Sequence, residues 1–143
     1  ILQHCVAVYP TPDNDLELNQ ISFLKNRYPN IKIGYSTHEN PNNLVPIKLA
    51  YSLGARSFER HIGIETEKYK LNGYSSNPEQ FEKWILSYKN TKKLLGASNK
   101  KPISKKENET LNSLSRGVYA KQDIENVCWA AWWRLVIPWP KAS

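Results

Sequence analysis

Ile31-Lys32-Ile33-Gly34-Tyr35-Ser36-Thr37-His38-Glu39 and Ala55-Arg56-Ser57-Phe58-Glu59-Arg60-His61-Ile62 decide the fold of this chain. Each is a short β-rich run that ends on a histidine among polar residues. Successive side chains of a strand alternate faces, so Ser36 and His38 share one face, and Ser57, Glu59 and His61 share one on the second strand. As neighbours in a barrel, the two strands bring both imidazoles to one rim.

The same pattern of strand, polar loop and amphipathic helix occurs three times in the first 95 residues. A first strand over Leu2–Tyr9 is closed by Pro10 and Pro12, which cannot continue a ladder. Asp13 or Asp15 is expected to cap a helix with Leu18, Ile21, Leu24 and Tyr28 at helical spacing. After the second strand comes a polar loop, Thr37 to Asn43, and a helix from Leu44 to Leu53 that Gly54 ends. Pro46 fits its first turn, where a missing N–H is harmless. The third strand, Ala55 to Ile62, leads into a longer loop, Gly63 to Ser76. Asn77-Pro78-Glu79-Gln80 then reads as a capping box. It opens a helix with Phe81, Trp84, Ile85, Tyr88 and Leu95 on one face and Gly96 at its end.

This alternation predicts an α/β fold with parallel strands and helices outside. A closed (β/α)8 barrel needs roughly 250 residues, so a chain of 143 residues holds part of one. It opens on Ile1 and contains no Met, and is expected to be a piece of something longer. Residues 97–112, rich in Lys, Ser and Asn, read as a linker without apolar period. Residues 113–143 are expected to begin a second, β-rich domain with the strand and turn Ser115 to Ile124. Four of the five tryptophans crowd the tail as Trp129, Trp132, Trp133 and Trp139, without strand or helix period, which reads as a truncated or out-of-frame end.

The net charge of +7 is unevenly spread: the first 81 residues hold eight basic and eight acidic side chains, and the remainder holds the whole excess. Those lysines, Lys89 to Lys106, read as a solvated face, because a nucleic-acid surface would add interleaved aromatics or a recognisable module. No apolar run approaches the ~18 residues of a membrane span, and no secretory leader is evident. Cys5 and Cys128 are too few for a disulfide framework and suit a reducing cytosol. Cys5, inside an apolar run, is expected to be a small buried hydrophobe.

Two neutral imidazoles with open positions suit Mn²⁺, Mg²⁺ or Zn²⁺, and such an ion polarises a carbonyl. The alternative is a pair of satisfied core histidines. Glu59, on the face of His61, is expected to need a partner if buried: a metal-bound water, a substrate hydroxyl or a cation.

Cys5-Val6-Ala7-Val8-Tyr9-Pro10-Thr11-Pro12, Gly34-Tyr35-Ser36-Thr37-His38, Gly54-Ala55 and Glu59-Arg60-His61-Ile62 occur in an order and spacing that resemble the sialic acid (N-acetylneuraminate) synthase family. Arg116-Gly117-Val118-Tyr119-Ala120-Lys121-Gln122-Asp123-Ile124 is similar to the start of that family's C-terminal antifreeze-like domain. The resemblance covers about residues 1–124. It implies the last three β/α units of the barrel in residues 1–96, the linker, and the opening of the antifreeze-like domain. It also implies a cytoplasmic transferase that condenses phosphoenolpyruvate with an N-acylated amino sugar, such as N-acetylmannosamine, to a nine-carbon 2-keto sugar acid. By motif match His38 and His61 would hold Mn²⁺ or Mg²⁺, Ser36 would contact phosphate, Glu59 would stand near the sugar and the attacking water, and Tyr9 would line the sugar site.

Three departures bear on that expectation. Ala7 replaces an Asn or hydroxyl residue that helps hold phosphate, Thr37 replaces a frequent Asp, and the loop Tyr69 to Ser75 lacks the Asp that grips the sugar in many members. In the family the antifreeze-like domain caps the partner subunit's site; only its opening is expected here, so the family's swapped homodimer is not expected. The rival readings are a non-catalytic remnant that binds anionic partners through its basic C-terminal half, and another metal-dependent barrel enzyme such as an aldolase or hydrolase.

Overall fold

The computed structural model describes residues 1–97 and 99–117. The chain divides into two compact units, Ile1–Lys101 and Pro102–Ser143. The first holds β1 (Leu2–Cys5), a short 3-10 turn (Asp13–Asp15), α1 (Asn19–Arg27), β2 (Ile33–Thr37), α2 (Val45–Leu53), β3 (Ser57–Arg60) and α3 (Pro78–Leu95). The described part of the second holds α4 (Lys105–Leu114).

The three strands form one parallel sheet in the order β1-β2-β3, an α/β arrangement. Leu2 pairs with Ile33 and Cys5 with Ser36; Gly34 pairs with Ser57 and Thr37 with Arg60. On one face Ile21, Ile33, Tyr35, Ala50 and Ala55 form the buried core, with Leu2, Leu18, Leu24, Leu53 and Phe58 packed around it. His4 points the same way and is a satisfied core histidine, its ring nitrogen 2.8 Å from the Leu16 carbonyl. By alternation the other face carries Gln3, Cys5, Gly34, Ser36, Ser57 and Glu59. Parallel sheets are normally covered on both faces; here one face is apolar and helix-covered, and the other is polar. Gln3 lies across Gly34, where any Cβ would collide with the Gln3 side chain and stand 2.9 Å from the Ser57 carbonyl.

Several expectations are corrected. β1 ends at Cys5, because the ladder stops at Cys5↔Ser36 and the following residues lack a strand partner. Cys5 is exposed, since it lies on the polar face. Asp13 and Asp15 form the 3-10 turn and do not cap α1; Leu18 precedes that helix, with no side-chain cap. Glu17, at φ 45°, breaks the chain between the two turns. Tyr28 and Leu95 are exposed. The 97–112 stretch is not a bare linker: Ser104 accepts from the Glu107 N–H and starts α4, a Ser-x-x-Glu start that outweighs the missing apolar period. The Val118–Ile124 segment, Cys128 and the Trp-rich tail lie outside the described residues.

Two helix ends follow the sequence closely. Asn77 and Gln80 make the reciprocal capping box of α3. Gly54 ends α2 at φ 115°, its N–H meeting the carbonyls of Ala50 and Tyr51. A side chain there is strained and would stand 2.6 Å from Lys25. Gly54→Ala is therefore expected to destabilise the 143-residue chain by about 1 kcal/mol, read as a lower urea midpoint. Among the described residues no helix is long and apolar enough to cross a membrane.

Candidate metal and substrate rim

The C-terminal ends of β2 and β3 lie side by side, and the residues just past them form the candidate site. Ser36 and Glu59 are register partners, so their side chains project together from the polar face. The Ser36 hydroxyl donates to Glu59 Oε1 at 3.4 Å. Two residues further on, the His38 and His61 rings stand 5.1 Å apart between centroids at 50°. Parity along two adjacent parallel strands produces both pairs.

His38 is buried, whereas His61 is exposed. The Nδ1 of His38 is buried without a hydrogen-bond partner. Burial pushes the His38 pKa below the ordinary imidazole value, and the neighbouring His61 and Arg60 push the same way. A Val6 backbone contact and the Glu59 carboxylate oppose them. The balance favours the neutral ring, and its Nδ1 meets no hydrogen-bond partner.

Aromatic side chains flank the pair. The loop after β1 brings Tyr9 to 4.4 Å from His38, and the Tyr9–Pro10 peptide is cis. Tyr74, from the loop between β3 and α3, stands 5.8 Å from His38, 5.2 Å from His61 and 5.3 Å from Tyr9. Tyr74 had no signal in the sequence, because a loop residue belongs to no period. All five residues singled out in the sequence, Tyr9, Ser36, His38, Glu59 and His61, come from this rim. Glu59 corrects its expectation: it is exposed, so burial does not force a cation upon it. Among the described residues no three His, Cys, Asp or Glu side chains gather as a larger metal cluster.

Behind the rim lies a buried ion pair, Arg60 with Glu39, that no sequence motif marks as a pair. Arg60 Nη1 donates to Glu39 Oε1 at 2.9 Å, and neither side chain has any exposure. Arg60 Nη2 donates to the Glu39 carbonyl at 3.2 Å and Nε to Ser76 Oγ at 2.6 Å. The Tyr35 hydroxyl donates to Glu39 Oε2 at 3.2 Å, and the guanidinium lies 5.6 Å from the Trp84 ring centroid. Burial pushes the Glu39 carboxyl up, against the pull of Arg60. Burial also raises the Tyr35 phenol well above its usual range, with the Glu39 charge adding to it. The signal was available: Glu39 and Arg60 follow and precede the two histidines and so face the helical side.

Comparison with known proteins identifies relatives of this chain. The model of the NeuB family matches residues 1–100. The N-acetylneuraminate-9-phosphate synthase of Drosophila melanogaster is 37% identical over 92 residues, 64% of this chain and 24% of that protein. A Chromobacterium violaceum structure described as a spore coat polysaccharide biosynthesis protein E superposes with a TM-score of 0.76 at 44% identity, covering 80% of this chain and 34% of that one. The N-acetylneuraminic acid synthetase of Leptospira borgpetersenii, in complex with citrate, gives a TM-score of 0.65 at 31% identity, covering 81% and 41%. The chain spans between 24% and 36% of the length of the first curated relatives it matches.

Proposed function

Because the chain belongs to the NeuB family, we propose that it carries the metal-binding rim of a sialic-acid-type synthase. The reaction would join phosphoenolpyruvate to an N-acylated amino sugar, giving a nine-carbon 2-keto sugar acid and phosphate. On this reading the three β/α units are consecutive units of a (β/α)8 barrel, whose reactive groups gather at the C-terminal ends of the strands.

One observation carries the proposal: two imidazoles from adjacent strand ends stand 5.1 Å apart, and the buried one holds an unpartnered Nδ1. A divalent ion, Mn²⁺ or Mg²⁺, fits that donor set, since a neutral imidazole offers a lone pair and the buried Nδ1 of His38 has no protein partner. When bound, the ion would polarise the aldehyde oxygen of the open-chain sugar. The remaining roles belong to the chain's own side chains. Ser36 Oγ is a donor suited to a phosphate oxygen. Glu59, exposed beside it, accepts from sugar hydroxyls and from the water that adds at C2. Tyr9 and Tyr74 wall the sugar.

In the condensation, C3 of phosphoenolpyruvate bonds to the aldehyde carbon, water oxygen bonds to C2, and the C2–O bond to the departing phosphate breaks. The Tyr69 to Ser75 loop offers no carboxylate to the sugar, which favours a related acylamino sugar as much as N-acetylmannosamine. The polar sheet face and the chain's share of its relatives' length support phosphoenolpyruvate contacts that come largely from sequence outside residues 1–143.

The test is phosphate release with Mn²⁺, phosphoenolpyruvate and N-acylated amino sugars. Turnover is expected from a polypeptide that joins this segment to a complete barrel, and none from residues 1–143 alone. Release by the 143-residue chain would contradict the shared site, and a complete polypeptide that uses pyruvate instead would contradict the reaction.

A further inference from the structure

The hydrogen-bonded ladder between β2 and β3 stops at Thr37↔Arg60, one residue short of each histidine. Past that point the two histidine backbones are tied to different segments. The His38 carbonyl accepts from the Thr11 N–H at 3.0 Å, and the His61 carbonyl accepts from the Ser76 N–H at 2.9 Å. Neither bond sets the distance between the rings.

The direct link across the gap is Arg60. Its Nη1 and Nη2 hold the Glu39 carboxylate and carbonyl, at the residue after His38. Its backbone continues into His61. Its Nε holds the Ser76 hydroxyl, two residues after Tyr74. One planar guanidinium thus joins the three segments whose rings, His38, His61 and Tyr74, contact one another at 5.1 to 5.8 Å. Tyr35 fixes the other carboxylate oxygen of Glu39, and Trp84 lies beside the guanidinium. Bonds of this kind to ionised partners are short and directional, and the fork cannot be reproduced by the point charge of a lysine.

We propose that Arg60, clamped by Glu39 and Ser76, is a positioning residue that sets the separation and tilt of the two histidine rings and of Tyr74. Its consequence for metal affinity rests on the reading of His38 and His61 as ligands; its consequence for the ring geometry does not. The clamp faces the helical core and touches no ligand. Its hold on the ring geometry runs through the residues chained to it, and its charge also disfavours protonation of His38.

The test uses the isotope-labelled 143-residue chain with two readouts: NOEs among the ring protons of His38, His61 and Tyr74, and titration with Mn²⁺ followed by water-proton relaxation. Arg60→Lys is expected to keep its far-UV spectrum, lose the inter-ring NOEs and bind Mn²⁺ about tenfold more weakly, the scale of a lost outer contact at a metal site. Gly54→Ala, destabilised at the opposite end of the strands, is expected to keep the NOEs and to bind Mn²⁺ within about twofold of the parent. Inter-ring NOEs that persist in folded Arg60→Lys would overturn the proposal, whatever the metal does. Lost NOEs in a chain that binds no Mn²⁺ even unmutated would support the clamp and remove the metal reading. Should Arg60→Lys fail to fold, Ser76→Ala decides: the Tyr74–His38 NOE is lost while the backbone bond from the Ser76 N–H to the His61 carbonyl keeps Tyr74 near His61, or the proposal fails.

Discussion

Arg60→Met is expected to lower the unfolding free energy of the 143-residue chain by about 3–5 kcal/mol, the largest stability loss of any single change at the rim. Both side chains of the Arg60–Glu39 pair are wholly buried. Removing the guanidinium leaves the Glu39 carboxylate without its cation, and deprives the Ser76 hydroxyl of a donor. Burial already raises the Glu39 carboxyl against the opposing pull of Arg60, so its loss forces Glu39 to take a proton or open the site to water. The penalty is that of an orphaned charge, not the worth of the pair, so a second change should relieve most of it. Glu39→Gln with Arg60→Met keeps an acceptor for Tyr35 and buries no charge; it is expected to recover all but about 1 kcal/mol. Urea unfolding followed by circular dichroism measures both. A single variant that costs under about 1 kcal/mol would mean that the pair is open to solvent.

His38→Ala is expected to weaken Mn²⁺ binding by roughly a hundredfold or more, above the range for outer contacts of a metal site. His61→Ala should do the same, because a site with one imidazole left is little better than exposed carboxylates. The loss should come with a small change in stability: His38 contacts Tyr9, His61 and Tyr74 at the rim and makes no part of the core formed by Ile21, Ile33, Tyr35, Ala50 and Ala55. In a complete synthase either variant should also abolish metal-dependent phosphate release. Affinity that survives both substitutions would assign the ion elsewhere.

Alternation along strands was legible because it needs only the backbone. Ser36, His38, Glu59 and His61 share the polar face, and two of them are register partners. Helix ends marked by single residues were equally plain, as at Gly54 and Asn77. What escaped depended on partners distant in sequence. Cys5 sits in an apolar run that suggests burial, yet its strand ends there and turns it to the uncovered face. Glu39 and Arg60 lie 21 residues apart, and only the side opposite the histidines unites them. Tyr74 reaches the rim because Ser76 bonds to His61 and Arg60, a constraint invisible to any local period. α4 was hidden for the opposite reason: its exposed Leu111 and Leu114 form no buried stripe, and its start is set by one hydroxyl at Ser104.

The proposed centre requires one divalent ion to take a nitrogen from each of two rings. Electron spin echo envelope modulation of Mn²⁺ added to the 143-residue chain reads that directly, through the hyperfine coupling of coordinated ¹⁴N. Two imidazole nitrogens are expected, falling to one in His38→Ala and to one in His61→Ala. A bound ion without nitrogen coupling, or one whose coupling survives both substitutions together, would contradict it.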